Sequence, residues 1–376
     1  MDRKLNLKKI KSAMQVNGLN QARISKEMGV SRTIVSEWFK GAKFPKPDKL
    51  LKLGVTLGLS FNEIVTEISS RFEPVIAFRK KANRKTKDTH LERARDMAIL
   101  LEQLVGYLPF QDLEHLPTLK KPSLGYSYLQ KVALKIRKDV DADPDTPIEL
   151  EMLIQKFIDL EAVLIPVLWG NKENHENALH IYLPASKTTW IYLNIDSKIH
   201  DFKFWIAHEL GHVLAPSFEG EDAEDFADAF AQAFLFPENC ADRVYHELIL
   251  IKNTGAKINK IIDYADRHTI SPITVYEAIN NYASENNLRR VNLGKGFYGA
   301  TTNFTEKFYR VSETLNKAKQ FSAEDYIKLS SEYFGSPFFK TLKEFLSENK
   351  KSSGFIQILL ETSIIDAKEI FKELTR

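Results

Sequence analysis

The sequence predicts a mostly helical α+β protein with a small β-sheet in the middle of the chain. Apolar residues recur at helical spacing towards both ends, whereas three short apolar runs between residues 162 and 196 have the composition of strands. At 376 residues the chain is long enough for two or three domains. We expect a five-helix N-terminal domain, a linker containing a helix, a central domain with the sheet and a helical C-terminal region, at residues 1–68, 69–124, 125–290 and 291–376.

The N-terminal region has the pattern of short helices separated by glycine turns. An apolar stripe over residues 5–17 ends at Gly18, and Asn20 is suited to cap a second helix. Gly29 supplies the turn into a third helix, which Ser31 caps. Two further short helices follow a proline-containing turn. Five short helices with a glycine turn between the second and the third predict a helix-turn-helix domain.

This region resembles the XRE/Cro type of helix-turn-helix domain. The shared features are Gln21, the Gly29-Val30-Ser31 turn, the Ile34 and Val35 core pair, and the exit from Gly41 to Pro45. Ser25 is a departure, because such domains usually have alanine at this contact between helices. The resemblance implies a homodimer whose recognition helix enters the major groove of double-stranded operator DNA.

The same resemblance implies which side chains face DNA. Those expected near base edges are Arg32, Thr33, Ser36 and Glu37, and those expected near phosphates are Gln21, Lys40 and Lys43. Residues 1–95 carry 22 Lys and Arg against 9 Asp and Glu, a net charge of +13, whereas the rest of the chain sums to −10. A basic N-terminal segment followed by an acidic remainder of the chain favours contact between that segment and nucleic acid. A helical protein-interaction module with a solvated basic surface is the alternative.

The segment between this domain and the sheet combines a connector with three helices. Within residues 71–90, PVIAF is a short strand-like run and the rest is basic, so we expect an exposed connector. Whether it contacts the DNA backbone or is only solvated stays open. Apolar spacing predicts helices near 91–105, 126–138 and 147–159, and the strands follow at 162–169, 178–184 and 188–196.

The pentapeptide HELGH, residues 208–212, has the spacing of a zinc-binding helix. His208 and His212 are four residues apart, so they lie on one helical face and can bind one ion. Glu209 is about 100° further round the helix, where it is suited to act as a general base on a metal-bound water. A surface helix with hydrogen-bonded histidines is the alternative.

A catalytic zinc site needs a third protein ligand and an open fourth position. The acidic candidates downstream are Glu219, Glu221, Asp222, Glu224, Asp225 and Asp228. Glu219 falls in a loop, whereas Glu224 and Asp228 share one face of the next helix, beside alanines that allow another helix to approach. We take Glu224 as the third ligand and Asp228 as a carboxylate that orients a histidine. The reverse assignment stays open.

HELGH followed by E-x-x-A-D-x-F-A-x-x-x-L-x-P resembles the ImmA/IrrE family of zinc metallopeptidases, over residues 125–285. The resemblance implies a gluzincin-like site with Zn²⁺ on His208, His212 and Glu224, with Glu209 catalytic. It also implies cleavage of one protein, often a repressor. Asp228 stands where the family often has asparagine, and residues 234–236 read FLF where it often has Leu-Leu-Met. With the N-terminal region, the chain resembles regulators in which an XRE domain precedes the peptidase.

The remaining sequence is helical. Residues 261–283 have the pattern of a second helix-turn-helix-like pair, expected as a scaffold. Residues 304–376 form amphipathic helices, either a sensor or oligomerisation module or core packing on the central domain. A single cysteine, Cys240, excludes an internal disulfide. No apolar stretch approaches the roughly 20 residues of a membrane span, and no secretory signal is visible, so we expect a cytoplasmic protein that does not contact a membrane.

Together these patterns predict a DNA-binding transcriptional regulator that carries a zinc-dependent endopeptidase. We expect it to cleave or control a specific regulatory protein, such as one encoded nearby. The alternative is a non-catalytic, zinc-containing repressor or antitoxin-type component that binds a partner protein. In a further alternative, a plain repressor, the zinc would be structural.

Overall fold

The computed structural model describes residues 3–40, 43–59, 64–67, 74–77, 88–110, 118–169, 178–315 and 321–376. The chain divides into two units, Met1–Glu73 and Pro74–Arg376. The predicted fifth helix of the N-terminal domain falls mainly on residues 60–63, and much of the predicted basic connector falls on residues 78–87. Both, like Gly41, lie outside the described residues.

Among its described residues, the N-terminal unit has four helices around a small apolar core, together with a pair of strands. The elements are α1 (Leu7–Val16), α2 (Gln21–Met28), α3 (Arg32–Phe39), α4 (Pro47–Leu57), β1 (Arg3–Leu5) and β2 (Val65–Glu67). Ile10, Ile24, Val35 and Leu53 are fully buried between the helices. The strands pair antiparallel, with Leu5 opposite Val65. Strand β1 includes Leu5, so α1 begins at Leu7, two residues later than the apolar stripe over residues 5–17 predicted.

Helices α2 and α3 begin at the predicted capping residues. The Asn20 side chain accepts a hydrogen bond from the backbone N–H of Arg23 at 2.9 Å, and Ser31 Oγ accepts one from the N–H of Ile34 at 3.3 Å. Gly29 ends α2 in the left-handed conformation, with φ of 65°, which costs glycine no steric strain. The predicted helix-turn-helix geometry is therefore confirmed.

Where the structure describes it, the C-terminal unit is mostly helical and contains a mixed sheet. Its strands are β3 (Val75–Ala77), β4 (Val163–Val167), β5 (Ala178–Leu183) and β6 (Thr188–Asn194). Its helices are α5 (Asp88–Glu102), α6 (Tyr126–Asp139), α7 (Leu150–Asp159), α8 (Ile199–Leu214), α9 (Gly220–Leu235), α10 (Glu238–Leu250), α11 (Thr254–His268), α12 (Pro272–Glu285), α13 (Gly296–Glu306), α14 (Val311–Leu315), α15 (Ala323–Glu332), α16 (Phe338–Glu348), α17 (Ser353–Leu360) and α18 (Ile364–Leu374). The predicted α+β class with a small sheet is confirmed.

The sheet has the order β3-β5-β6-β4. The pairs β3/β5 and β5/β6 are antiparallel, whereas β4 and β6 are parallel, with Val163 opposite Trp190. Three of these strands are the predicted ones. The fourth, β3, comes from the strand-like run that we placed within the 69–124 linker, and its Ala77 pairs with His180 of β5.

The sheet is covered by helices on both faces. Because successive strand residues alternate, Ala178 and Ile191 face the core formed by α8 and α9, whereas Leu179 and Trp190 face a second core. The second core contains α5 and the C-terminal helices α15 to α18. A hydrogen bond from the Trp169 indole to the Leu360 carbonyl, 3.0 Å long, ties these helices to the end of β4. Residues 323–374 thus pack as core on the sheet, one of the two arrangements considered from sequence.

The first core positions the helices that follow the sheet. Ile270 and Val275, at the turn between α11 and α12, are fully buried in the same cluster as α8 and α9. Helices α11 and α12, which correspond to the second helix-turn-helix-like pair predicted from residues 261–283, therefore pack as part of this core. Among the described residues, no helix combines the length and apolar character that crossing a membrane requires.

Candidate metal centre and helix-turn-helix surface

The helices α8 and α9 approach each other closely at Gly211 and Ala227. A Cβ placed on Gly211 would lie 2.8 Å from Ala227 Cα, a distance that real Cβ atoms do not reach. Gly211 is therefore required for this contact, and Ala227 is a small residue on the facing helix. The phenylalanines Phe226, Phe230 and Phe234 of α9 are buried and stack along the helix. This packing holds the HELGH face of α8 against the acidic face of α9.

Three predicted side chains converge between the two helices. His208 Nε2 and His212 Nε2 lie 3.0 Å apart. The Glu224 carboxylate lies 3.5 Å from His208 Nε2 and 3.4 Å from His212 Nε2. One donor atom from each residue lies within 4.8 Å of the other two. The i, i+4 spacing on α8 and the packing of α9 therefore bring two imidazoles and a carboxylate to one point.

Asp228 lies one helical turn beyond Glu224 and contacts the other side of the same histidine. Its carboxylate is 2.8 Å from His208 Nδ1, within hydrogen-bonding distance. A carboxylate that accepts the outer ring N–H of a ligating histidine leaves Nε2 for a metal. Between the two assignments left open from sequence, this arrangement favours Glu224 at the point of convergence and Asp228 behind His208. Glu219, the loop candidate, is exposed at the N-terminus of α9.

The electrostatics of the site reflect its burial. His208 is 1%, Glu209 4% and His212 6% exposed. Burial raises the pKa of Glu209 to about 8, with a further rise from Glu224 and an opposing effect of His208. Burial alone would lower the pKa of His208, but hydrogen bonds with Asp228 and Glu224 outweigh it and raise the pKa to about 9. Burial and the neighbouring histidines His208 and His180 depress the pKa of His212.

His180 is a buried residue beside this cluster that the sequence reasoning did not identify. It lies on β5, and its ring centroid is 5.8 Å from that of His212. Burial lowers its pKa to about 4, so the ring is neutral at pH 7. The available signal was a histidine in an otherwise apolar strand run, ALHIYL, but only the fold shows which face of the strand it occupies.

The donor set fits a zinc ion. Zinc is commonly bound by two histidine nitrogens and one carboxylate, with a fourth position open in catalytic sites. Glu209 Oε2 is buried and has no hydrogen-bond partner among the described residues. Buried carboxylate oxygens without partners are costly unless a cation or a proton donor joins them. The residues present therefore suit a divalent cation at this point.

The predicted DNA-facing residues lie on and around the recognition helix α3. Arg32, Thr33, Lys40 and Lys43 are exposed, and Gln21, Ser36 and Glu37 are half-buried. Lys43 Nζ forms an ion pair with Glu37 at 3.0 Å. Two residues predicted to contact DNA thus contact each other, whereas Arg32 and Thr33 present their side chains at the N-terminal end of the helix.

A helix-turn-helix family model matches residues 10–64 of the chain. The match lies within the N-terminal unit and supports an XRE-type DNA-binding domain of a transcriptional regulator. No curated protein and no solved structure matches the chain.

Proposed function

We propose that the chain is a DNA-binding transcriptional regulator that carries a zinc-dependent endopeptidase domain within its C-terminal unit. The observation that carries the peptidase part is the convergence of His208, His212 and Glu224, backed by Asp228 and flanked by Glu209. The resemblance of HELGH and the following helix to ImmA/IrrE peptidases supports it. We further propose that the chain acts as a homodimer on operator DNA and cleaves or controls a specific regulatory protein encoded nearby.

In this proposal, His208, His212 and Glu224 hold the zinc ion. Zinc bound there supplies Lewis acidity, which polarises a carbonyl group and makes water more acidic. Glu209 is next to a ligand in sequence, and its buried Oε2 has no hydrogen-bond partner among the described residues. A cation at the three ligands would favour the ionised form of this carboxyl, which would then accept a proton inside the site. Asp228 keeps the His208 ring oriented by accepting its Nδ1 hydrogen.

Metal analysis joined to a cleavage assay tests this function. The wild type should contain zinc and cut a protein encoded beside its gene. Glu209→Gln should retain zinc and lose cleavage, because the amide removes the base but not a ligand. Asp225→Asn, an exposed change on α9, is the matched control and should retain both. Unaltered cleavage by the Glu209→Gln variant would refute the catalytic role.

A second candidate function is a regulator that holds zinc without turnover and binds a partner protein. The enclosure of His208, Glu209 and His212, each no more than 6% exposed, favours it, since a peptide must reach these groups to be cut. This candidate predicts that a neighbour-encoded protein co-purifies intact with the zinc-loaded chain. Fragments of that protein would instead support the peptidase.

A further inference from the structure

His180 is a buried polar residue beside the proposed metal centre. The residue is only 6% exposed, and its Nε2 has no hydrogen-bond partner among the residues that the structure describes. An unsatisfied buried nitrogen costs on the order of 1–3 kcal/mol. A plain core position would favour an apolar residue, as at Leu179 and Ile181 on the same strand.

The sheet directs this ring towards the cluster. Residues of β5 alternate between the two cores, and Ala178 and His180 are on the face covered by α8 and α9. The ring centroid of His180 is 5.8 Å from that of His212, with the planes inclined by 48°. The histidine therefore stands between the sheet and the HELGH helix, on the sheet side of His212.

His180 does not belong to the group of converging ligand atoms. That group comprises His208, His212 and Glu224, whose donors lie within 4.8 Å of one another. Two histidines and a glutamate already complete a catalytic zinc donor set. His180 is therefore an imidazole next to His212 that lies outside the donor set.

We infer that His180 donates a ring hydrogen bond to the oxygen of a substrate or inhibitor carbonyl held at the metal centre. This inference rests on the proposed function, because it requires a metal at the three ligands. It adds a group from the sheet to a site otherwise built by two helices. A hydrogen-bond donor aimed at a carbonyl oxygen stabilises the charge that develops there during hydrolysis.

A cobalt-loaded full-length protein tests the inference without knowledge of the substrate. Co²⁺ replaces zinc and makes the site visible by absorption, and acetohydroxamate supplies a small carbonyl ligand for the open position. In His180→Phe and His180→Leu, which remove the ring N–H donor, we expect Co²⁺ affinity within about threefold of wild type and acetohydroxamate binding weaker by about tenfold, the loss of one hydrogen bond. His268→Gln, which alters a buried histidine of α11, should change neither.

The outcomes separate the possibilities. Unchanged acetohydroxamate binding in both His180 variants would make His180 an ordinary core residue, and loss of Co²⁺ would make it a metal ligand; either overturns the inference. A wild type that binds no Co²⁺ would refute the proposed function and the inference together. If the variants do not fold, a crystal structure of the wild-type acetohydroxamate complex decides. A ring nitrogen of His180 within about 3.2 Å of the ligand oxygen supports the inference, and a longer distance contradicts it.

Discussion

His208 Nδ1 lies 2.8 Å from the carboxylate of Asp228, across the contact between α8 and α9. The carboxylate holds the histidine ring in place and assigns the ring hydrogen to Nδ1. Nε2, on the other side of the ring, then faces His212 and Glu224. The pair therefore couples the packing of two helices to the geometry of the proposed metal centre.

Removing this carboxylate should weaken zinc binding. We expect Asp228→Ala to lower zinc affinity about 10- to 100-fold, the usual effect of losing such a partner. Asp228→Asn should lose less, because its amide oxygen can still accept the ring hydrogen. Competition with a chelator of known affinity measures the effect. Asp225→Ala, exposed on the same helix, is the control. If both alanine variants lowered zinc affinity equally, the role of Asp228 in orienting His208 would be contradicted.

Adding one methyl group at Gly211 should force α8 and α9 apart. The new Cβ would meet Ala227 Cα at 2.8 Å, and overpacking of this kind costs about 1–3 kcal/mol. Gly211→Ala should therefore lower the free energy of unfolding of the C-terminal unit, measured by urea denaturation, and should also weaken zinc binding.

Gly299 provides the matched comparison for this change. It lies in α13, where an added Cβ meets no atom within 4 Å. Gly299→Ala should leave stability unchanged or raise it by up to about 1 kcal/mol, because alanine favours the helix. If Gly211→Ala changed the free energy of unfolding no more than Gly299→Ala does, the close contact between α8 and α9 would be contradicted.

Buried His268 should make the C-terminal unit sensitive to acid. Burial lowers its pKa to about 4, assisted by Lys203, Arg137 and Arg267 and opposed by Asp145. Between about pH 6.5 and pH 4 the unfolded chain binds a proton that the folded chain does not, so stability falls as the pH falls. Above pH 6.5 the residue is neutral in both states and contributes no slope.

Replacing this histidine should therefore make the free energy of unfolding depend less on pH between about pH 4 and pH 6.5. In metal-free protein, His268→Gln should reduce the pH dependence of the free energy of unfolding by on the order of 1 kcal/mol per pH unit in that range. His246→Gln, at an exposed histidine of α10, should not remove this slope. An unchanged slope in His268→Gln would show that another group is responsible.

Arg32 should contribute to sequence recognition. Its side chain is exposed at the N-terminal end of α3, and an arginine contact with a base is worth about 1–3 kcal/mol. After selection of a binding sequence, Arg32→Ala should weaken binding to it about 10- to 100-fold and relax the preference at one base position. Lys11→Ala, exposed on α1, is the control. Equal specificity in both variants would place the recognition surface elsewhere.

Residue spacing in the sequence was enough to predict the longer helices and to predict which side chains meet between α8 and α9. The i, i+4 spacing of His208 and His212, and of Glu224 and Asp228, fixes which side chains share a helical face wherever the helices lie. Strand β1 was not predicted, because its three residues have no periodicity of their own. Strand β3 was predicted as a strand-like run, but it was placed in the linker and not in the sheet. Both depend on partners far along the chain, as Leu5 does on Val65.

His180 shows the other limit of sequence reasoning. Its position on a strand was predicted, but its role depends on which face of the sheet α8 covers, and that is a tertiary property. The same holds for the C-terminal helices, whose apolar stripes are equally consistent with core packing and with an oligomer interface. The second core, in which Leu342 and Ile356 pack with Trp190 of the sheet, appears only once the strand order is known.

The zinc content of purified protein tests the central claim most directly. Elemental analysis should find about one zinc per chain in the wild type and in Glu209→Gln, because Glu209 is not a ligand. His208→Ala, His212→Ala and Glu224→Ala should each lose most of it while remaining folded. A wild type without zinc, or a Glu224→Ala variant that holds zinc as tightly as the wild type, would contradict the proposed metal centre.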